Sequence, residues 1–517
     1  MNVFGKKPAG AAANSNAKKP TVRRETVLVP VAKQQTTTPR AASASRPGPP
    51  KDRFKLSQTS KSRPSPAQSL SAKKQIARRA VAGPRGVKRK SATPQPDGPL
   101  FSSDEEDDSS DIGTSDSDVS RKRVKSSVSS IESSGPRRRL ALSREDTDGK
   151  DLRFVHGADL TSGDEARYFR NPWDMDSFET IELQYPSKSQ LERFELRWPK
   201  KNTDDDYRPM EDVIETVKAI SDFYLPDEQR SKALSEETGY ERRFNRAFQR
   251  QSIPEFVSVI EDFNAMLKPL VEDGTIQRQL SRETNLTLEW VKRILDQTYA
   301  RTVSPKVDTL RAYQNGSDNV YGELLARFVS DIFRKTRLNH EQVFVDLGSG
   351  VGNVVMQAAL EVGCESWAIE MMPNPCDLAE LQARELPARA KLWGLNIGDI
   401  HLLRGDFTEN LEIGPVLRKA DVVLVNNQAF TPALNDKLIS MFLDLKDGCQ
   451  VVSLKPFVPD GHKMTVRNVD NPCNMFRQTQ YEYFSDCVSW GAQHGHYYVA
   501  VKDSRPLMGF RKKMGLQ

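Results

Sequence analysis

The stretch Val343, Phe344, Val345, Asp346, Leu347, Gly348, Ser349, Gly350, Val351, Gly352, Asn353 constrains this chain more than any other. Its first five residues are almost all apolar and are followed by glycine, which reads as a strand buried on both faces. The residues after Asn353, among them Val354, Val355, Met356, Ala358, Ala359 and Leu360, read as a buried helix. Between the two, glycines can take positive φ and let the backbone approach a bound group. At the helix N-terminus, free N–H groups and the macrodipole favour an anionic end of that group. A strand that passes through such a turn into a helix is the opening unit of a parallel α/β sheet.

The spacing narrows the ligand. A dinucleotide fingerprint, G-x-G-x-x-G, would need glycine at 353; Asn353 stands there, and Gly348, Gly350 and Gly352 give G-x-G-x-G. That shorter form points to S-adenosylmethionine. A second strand, Trp367, Ala368, Ile369, ends in Glu370, about 20 residues past the glycine turn, where an acid that accepts ribose hydroxyls belongs. A third, His401 to Arg404, leads through Gly405 into Asp406 and Phe407, an acid to receive an adenine amino group and an aromatic to cover the ring. Asp421 to Val425, a helix from Thr431 carrying Leu434, Leu438 and Met441, and Val451 to Leu454 continue the alternation. Tyr481, Tyr483 and then Tyr497, Val499, Val501 predict a closing antiparallel pair. The expected fold is α/β: a doubly wound, mainly parallel seven-stranded sheet of the class I S-adenosylmethionine-dependent methyltransferase type, with ligands at the carboxyl ends of the strands.

The rest of the chain is organised by charge. Residues 1–150 hold 31 Lys/Arg against 15 Asp/Glu, a net of +16 in a chain whose total is +6, and only three of its 40 aromatics, Phe4, Phe54 and Phe101. Such a segment cannot bury enough apolar surface to offset its ordering entropy, so a disordered basic tail over 1–150 is expected. Its clusters, Lys88 to Lys90, Arg121 to Lys125 and Arg137 to Arg139, suit nuclear import or a DNA contact. Ser102 to Asp108 forms an acidic island between them. Helical spacing follows in Val213, Ile214, Val217, Ile220, in Phe256, Ile260, Phe263, Leu267, and in Leu288, Val291, Ile294 behind a Thr287 cap. This predicts a mainly helical lobe over 151–314 and a cofactor-binding catalytic domain over 315–517. No apolar run reaches the roughly 18 residues of a membrane span, and no secretory signal opens the chain, so no membrane partner is expected. Five cysteines without a C-x-x-C pair argue against a disulfide framework, and no metal site is expected.

One combination of segments is more specific than the glycine turn. Tyr321, Gly322, Glu323, Leu324, then Asp346 to Asn353, Arg404 to Phe407, Asn426, Asn427, Gln428, Ala429, Phe430, then Ser453 to Phe457, and Val488, Ser489, Trp490 with Tyr497 and Tyr498 resemble the DOT (disruptor of telomeric silencing) family. Those enzymes lack a SET domain and methylate lysine 79 of histone H3 within the nucleosome. A basic arm ahead of the catalytic domain matches the fungal layout. The resemblance implies S-adenosylmethionine as cofactor, the nucleosome as partner, with DNA held by the tail, a nuclear location, and roles in telomeric silencing and DNA-damage signalling. It implies cofactor contacts from Tyr321, Gly322, Glu323, Leu324, Phe344, Val345, Asp346, Leu347, Gly348, Ser349, Gly350, Val351, Gly352, Asn353, Glu370, Asp406 and Phe407. It also implies a lysine channel lined by Asn426, Phe430, Trp490 and Tyr497. Leu324 and Asn353 depart from residues found in other members. Two rivals stand beside this reading: an RNA or small-molecule methyltransferase, which would carry Asn/Asp-Pro-Pro-aromatic where Asn426 to Ala429 lie, and a catalytically silent chromatin scaffold, which would not need Gly348, Gly350, Glu370 and Asp406.

Overall fold

The computed structural model describes residues 138–143, 152–201, 206–311, 322–491 and 494–516. The acidic island and the basic clusters up to Arg137 lie outside the described residues, as does Tyr321. Two small antiparallel ribbons come first, β1 (Phe169–Arg170) with β4 (Trp198–Pro199) and β2 (Thr180–Leu183) with β3 (Glu192–Glu195).

Six helices follow: α1 (Pro209–Phe223), α2 (Asp227–Ala233), α3 (Tyr240–Arg250), α4 (Ile253–Glu272), α5 (Thr275–Leu280) and α6 (Leu288–Thr302). Their starts obey the local chemistry of the chain. Proline opens α1, where its missing N–H costs nothing; Ser252 caps α4 by accepting from Glu255 N, and Thr287 caps α6 by accepting from Trp290 N. The apolar stripes of α1, α4 and α6 meet Met356, Leu360, Leu386 and Trp393 in one core. The lobe is therefore fused to the catalytic domain.

After α7 (Ala326–Thr336) comes the sheet: β5 (Val343–Leu347), α8 (Asn353–Gln357), β6 (Glu365–Glu370), α9 (Pro373–Leu392), β7 (Ile400–Arg404), α10 (Ile413–Lys419), β8 (Val422–Val425), α11 (Pro432–Met441), β9 (Gln450–Ser453), β10 (Phe476–Tyr483) and β11 (Gly495–Lys502), with α12 (Arg505–Met514) last. The seven strands lie in the order β10-β11-β9-β8-β5-β6-β7. β5 to β9 run parallel, and β11 is antiparallel to both β9 and β10. Successive residues of β5 serve opposite faces: Phe344 packs beside Phe328 and Val452, while Val345 and Leu347 pack beside Val423 and Leu438. The helix after the glycine turn is shorter than expected; α8 passes into a π-turn over Ala358–Val362.

A buried ionic cluster joins lobe and sheet. Arg301 of α6 donates to Glu192 of β3 at 2.8 Å and to Asp212 of α1 at 2.6 Å, and Arg389 of α9 reaches Glu192 at 3.1 Å and Glu385 at 2.9 Å. Tyr185 and Tyr207 donate hydroxyls to Glu192 and Asp212, and Gln297 donates to the Tyr185 hydroxyl at 2.9 Å. Burial alone would push the Glu192 carboxyl up, but the Arg301 and Arg389 guanidiniums outweigh it and hold the group below the usual range.

The boundary at 150 needs correction. Residues 138–143, expected within the tail, are seated on the domain: Leu140, Ala141 and Leu142 are buried, Asn396 N donates to Leu140 O at 2.7 Å, and Leu142 N donates to Gly394 O at 3.1 Å. The Arg138 guanidinium donates to the carbonyls of Leu360, Glu361 and Asn396. This strap lies beside the segments that enter β6 and β7, at the amino ends of the parallel strands.

Candidate functional site: a cavity at the carboxyl ends of the strands

A cavity of about 800 Å³ opens where β5, β6, β7 and β8 end. Thirteen of the expected residues line it: Gly322, Glu323, Leu324, Asp346, Gly348, Ser349, Gly350, Asn353, Glu370, Asp406, Phe407, Asn426 and Phe430. Gly348, Gly350 and Gly352 all take left-handed φ, at 82°, 57° and 82°, as the turn from strand to helix demands. Gly350 N donates to Glu370 Oε2 at 2.9 Å and Met372 N to Glu370 Oε1 at 2.8 Å, so two backbone amides aim the carboxylate that was expected to meet ribose hydroxyls. Asp406 is oriented by Thr408 N at 2.7 Å. The rings of Phe407 and Phe430 lie 6.1 Å apart on one wall, both beside Gly348.

The opposite wall is built by pairing between distant segments. Leu324 bridges Val488, Leu325 N donates to Cys487 O at 2.9 Å, and Ser489 exchanges bonds with the backbone of Glu323. Asn353 then donates to Glu323 Oε1 at 2.9 Å and accepts from Gln382 at 3.1 Å. Leu324 and Asn353, the two residues that depart from other members, thus serve as packing and as a tie within this wall. Trp490, 37% exposed, lies over Gly322, where an added Cβ would come within 2.7 Å of its ring. The indole therefore sits at the rim, without lining the cavity.

Other expected residues are placed elsewhere. Phe344, Val345, Leu347 and Val351 are buried behind the cavity in the core, and Gly352 shapes the turn without facing the cavity. Tyr497, expected in the lysine channel, is fully buried: its hydroxyl donates to Asp331 Oδ2 at 2.9 Å and its ring stacks on Tyr481. The period of two along β11 turns it toward α7, a neighbour that the sequence of the strand does not announce. Missed residues include Thr309, Leu310, Met371, Pro373, Leu434 and Lys437. Met371 and Pro373 lie within three residues of Glu370 and could have been found by extending the strand-end argument; Thr309 and Leu310 belong to a short 3-10 segment, Ser304–Arg311, with no motif of its own.

Two polar groups show what the cavity is built to hold. Asp346 lines the cavity at the foot of the glycine turn; burial, with Glu370 nearby, pushes its carboxyl up to about 8. Asn426 donates Nδ2 to Gly322 O at 3.2 Å and leaves Oδ1 buried without a partner. A carboxyl group that a nearby cation would ionise, an acid and an aromatic at the far strand end, and a glycine turn between them fit S-adenosylmethionine, with its ammonium, sulfonium, ribose and adenine.

The Asp346 value carries a testable consequence. A folded pKa above the unfolded 3.8 means that the cofactor-free protein holds this proton more tightly, so stability from this group is present below about pH 4 and lost as pH rises through about 8. A bound ammonium would favour the ionised form. Cofactor affinity is thus expected to rise by up to tenfold per unit between pH 6 and 7.5, with a proton released on binding, and Asp346→Asn to flatten the rise. Calorimetry in buffers of different ionisation enthalpy reads both.

Fold and cavity together define a class I S-adenosylmethionine-dependent methyltransferase. Residues 299–502 match the family model described as histone methylation protein DOT1. Relatives named histone-lysine N-methyltransferase, H3 lysine-79 specific, include one from Aspergillus fumigatus, 48% identical over 82% of this chain and 83% of its own length. Another, from Emericella nidulans, is 46% identical over 76% and 78%, and one from Gibberella zeae is 42% identical over 77% and 80%. This chain belongs to that DOT family of histone methyltransferases.

Proposed function

We propose that the protein transfers methyl groups from S-adenosylmethionine to lysine 79 of histone H3 in the nucleosome. The observation that carries this reading is the continuity of the cavity from the glycine turn to Asn426 and Phe430, the pair of residues at which the substrate lysine would arrive. Bound S-adenosylmethionine supplies an electrophilic methyl group on a positively charged sulfur. The chain's own work is to align an amine with that methyl and to exclude water. A lysine of pKa about 10.4 must first lose a proton, at a cost on the order of 4 kcal/mol near pH 7. A poorly solvated approach between Phe430 and the Trp490 rim lowers that cost by disfavouring the charged form. On this reading the unpaired Asn426 Oδ1, its Nδ2 held by the Gly322 carbonyl, would accept an N–H of the incoming amine.

Docking on the nucleosome, a DNA contact through residues 1–137 and nuclear residence belong to the same proposal, supported by the basic clusters of the tail. The test is methyl transfer from labelled S-adenosylmethionine to nucleosomes, free H3 and RNA in parallel, with the full chain and a chain lacking 1–137. Label on H3 lysine 79 in nucleosomes is expected, with a shallower salt dependence of nucleosome binding once 1–137 is removed, since fewer counterions are released. Label on RNA, or on none of the three, overturns the reaction; an unchanged salt slope overturns the tail's DNA contact.

A further inference from the structure

Asn427 follows the cavity residue Asn426 but does not itself line the cavity. It is fully buried, and all four of its side-chain bonds are made. Its Oδ1 accepts from Leu454 N at 2.9 Å and Lys455 N at 2.8 Å, and its Nδ2 donates to Lys455 O at 3.2 Å and Asn435 Oδ1 at 2.8 Å. Lys455 returns the tie by donating Nζ to Phe430 O at 3.3 Å, and Phe430 N donates to Asn427 O at 3.2 Å. The loop after β8, which carries Asn426 and Phe430, is therefore clasped at two points to the loop after β9. Asn435 adds a third tie, to the first turn of α11.

We propose that Asn427 and Lys455 are positioning residues for methyl transfer: they hold the Asn426 amide and the Phe430 ring in register with the cofactor, without touching cofactor or lysine. The proposal rests on the reading of Asn426 and Phe430 as the substrate side of the cavity. Its physical basis is that a shift of about 1 Å at a reacting centre costs on the order of 100-fold in rate, while binding at the glycine end is untouched. Without the Lys455 ammonium the Phe430 carbonyl is free to turn. Without Asn427 two N–H groups at the start of the second loop lose their acceptor.

The test uses the full chain and nucleosomes. Lys455→Met is expected to lower kcat about tenfold with the nucleosome KM, the S-adenosylmethionine Kd and the melting temperature nearly unchanged. Lys455→Arg, which can still donate to the Phe430 carbonyl, should recover most of that loss. Asn427→Ala should lower kcat further, by about 100-fold, and also the melting temperature, with cofactor affinity in the folded fraction within about threefold of the parent. A normal kcat in both Lys455→Met and Asn427→Ala overturns the proposal. So does a rise in nucleosome KM at constant kcat, which would make Lys455 a docking residue, or a loss of cofactor affinity in step with kcat, which would make the clasp a part of the cofactor site. Asn426→Ala tests the underlying reading separately: if it methylates normally, the assignment of Asn426 fails whatever the clasp variants do.

Discussion

Replacing Glu192 by alanine is expected to destabilise the protein by about 3–5 kcal/mol, because it strips a shared acceptor from two guanidiniums that have no route to water. Arg301, Arg389 and Glu192 have fully buried side chains, and among the described residues Glu192 is the one carboxylate bonded to both arginines. Asp212 would remain on Arg301 and Glu385 on Arg389, so each cation would keep one partner and lose another. The melting temperature should fall on the order of 10 °C. Glu192→Gln, which keeps the shape and loses the charge, should lie between the two. Because Arg389 sits on α9, the helix that begins beside the cavity at Pro373, cofactor binding should weaken together with the melt. A melting curve of Glu192→Ala that overlays the parent would mean that the cluster is dispensable for holding lobe and sheet together.

Gly350→Arg is expected to abolish methylation, by more than 1,000-fold in kcat/KM, through two effects at one position. Gly350 takes φ of 57°, a conformation that costs a residue with a Cβ roughly 1–2 kcal/mol. Gly350 also lines the cavity, so an arginine there would take up volume that the cofactor needs and would add a cation to a site for a positively charged ligand. Cofactor binding measured by calorimetry should be lost, while the proposed nucleosome binding persists within about twofold. Gly350→Ala separates the causes: it keeps the strain and leaves most of the space, so partial activity is expected. Full activity of the arginine variant would show that the turn does not carry the cofactor.

The parts of this fold that could be read from the chain were those whose signals are local. Val343 to Asn353 declares strand, turn and helix within eleven residues, and Glu370 and Asp406 lie at strand ends that apolar runs mark out. Tyr497 shows where such reading stops. Its alternation was right, since β11 does pair with β10 in register, but which face would be covered depends on α7, more than 150 residues away in sequence. The ionic cluster is invisible for the same reason: Glu192 lies 109 residues from Arg301 and 197 from Arg389, and no period connects them. The strap was lost to composition, because three apolar residues after Arg137, Arg138 and Arg139 cannot outweigh a charged neighbourhood until their groove is known. The clasp was half legible; its two segments stood out as specific sequences, but only the folded chain shows that they are specific for each other.

The strap also fixes the side of the sheet at which a load on the N-terminal segment would enter the domain. Arg138 and Leu140 to Leu142 are seated at the amino ends of the strands, whereas the cavity opens at the carboxyl ends. A load applied through Arg138 would fall on the carbonyls of Leu360, Glu361 and Asn396, on the side of the sheet away from the cavity.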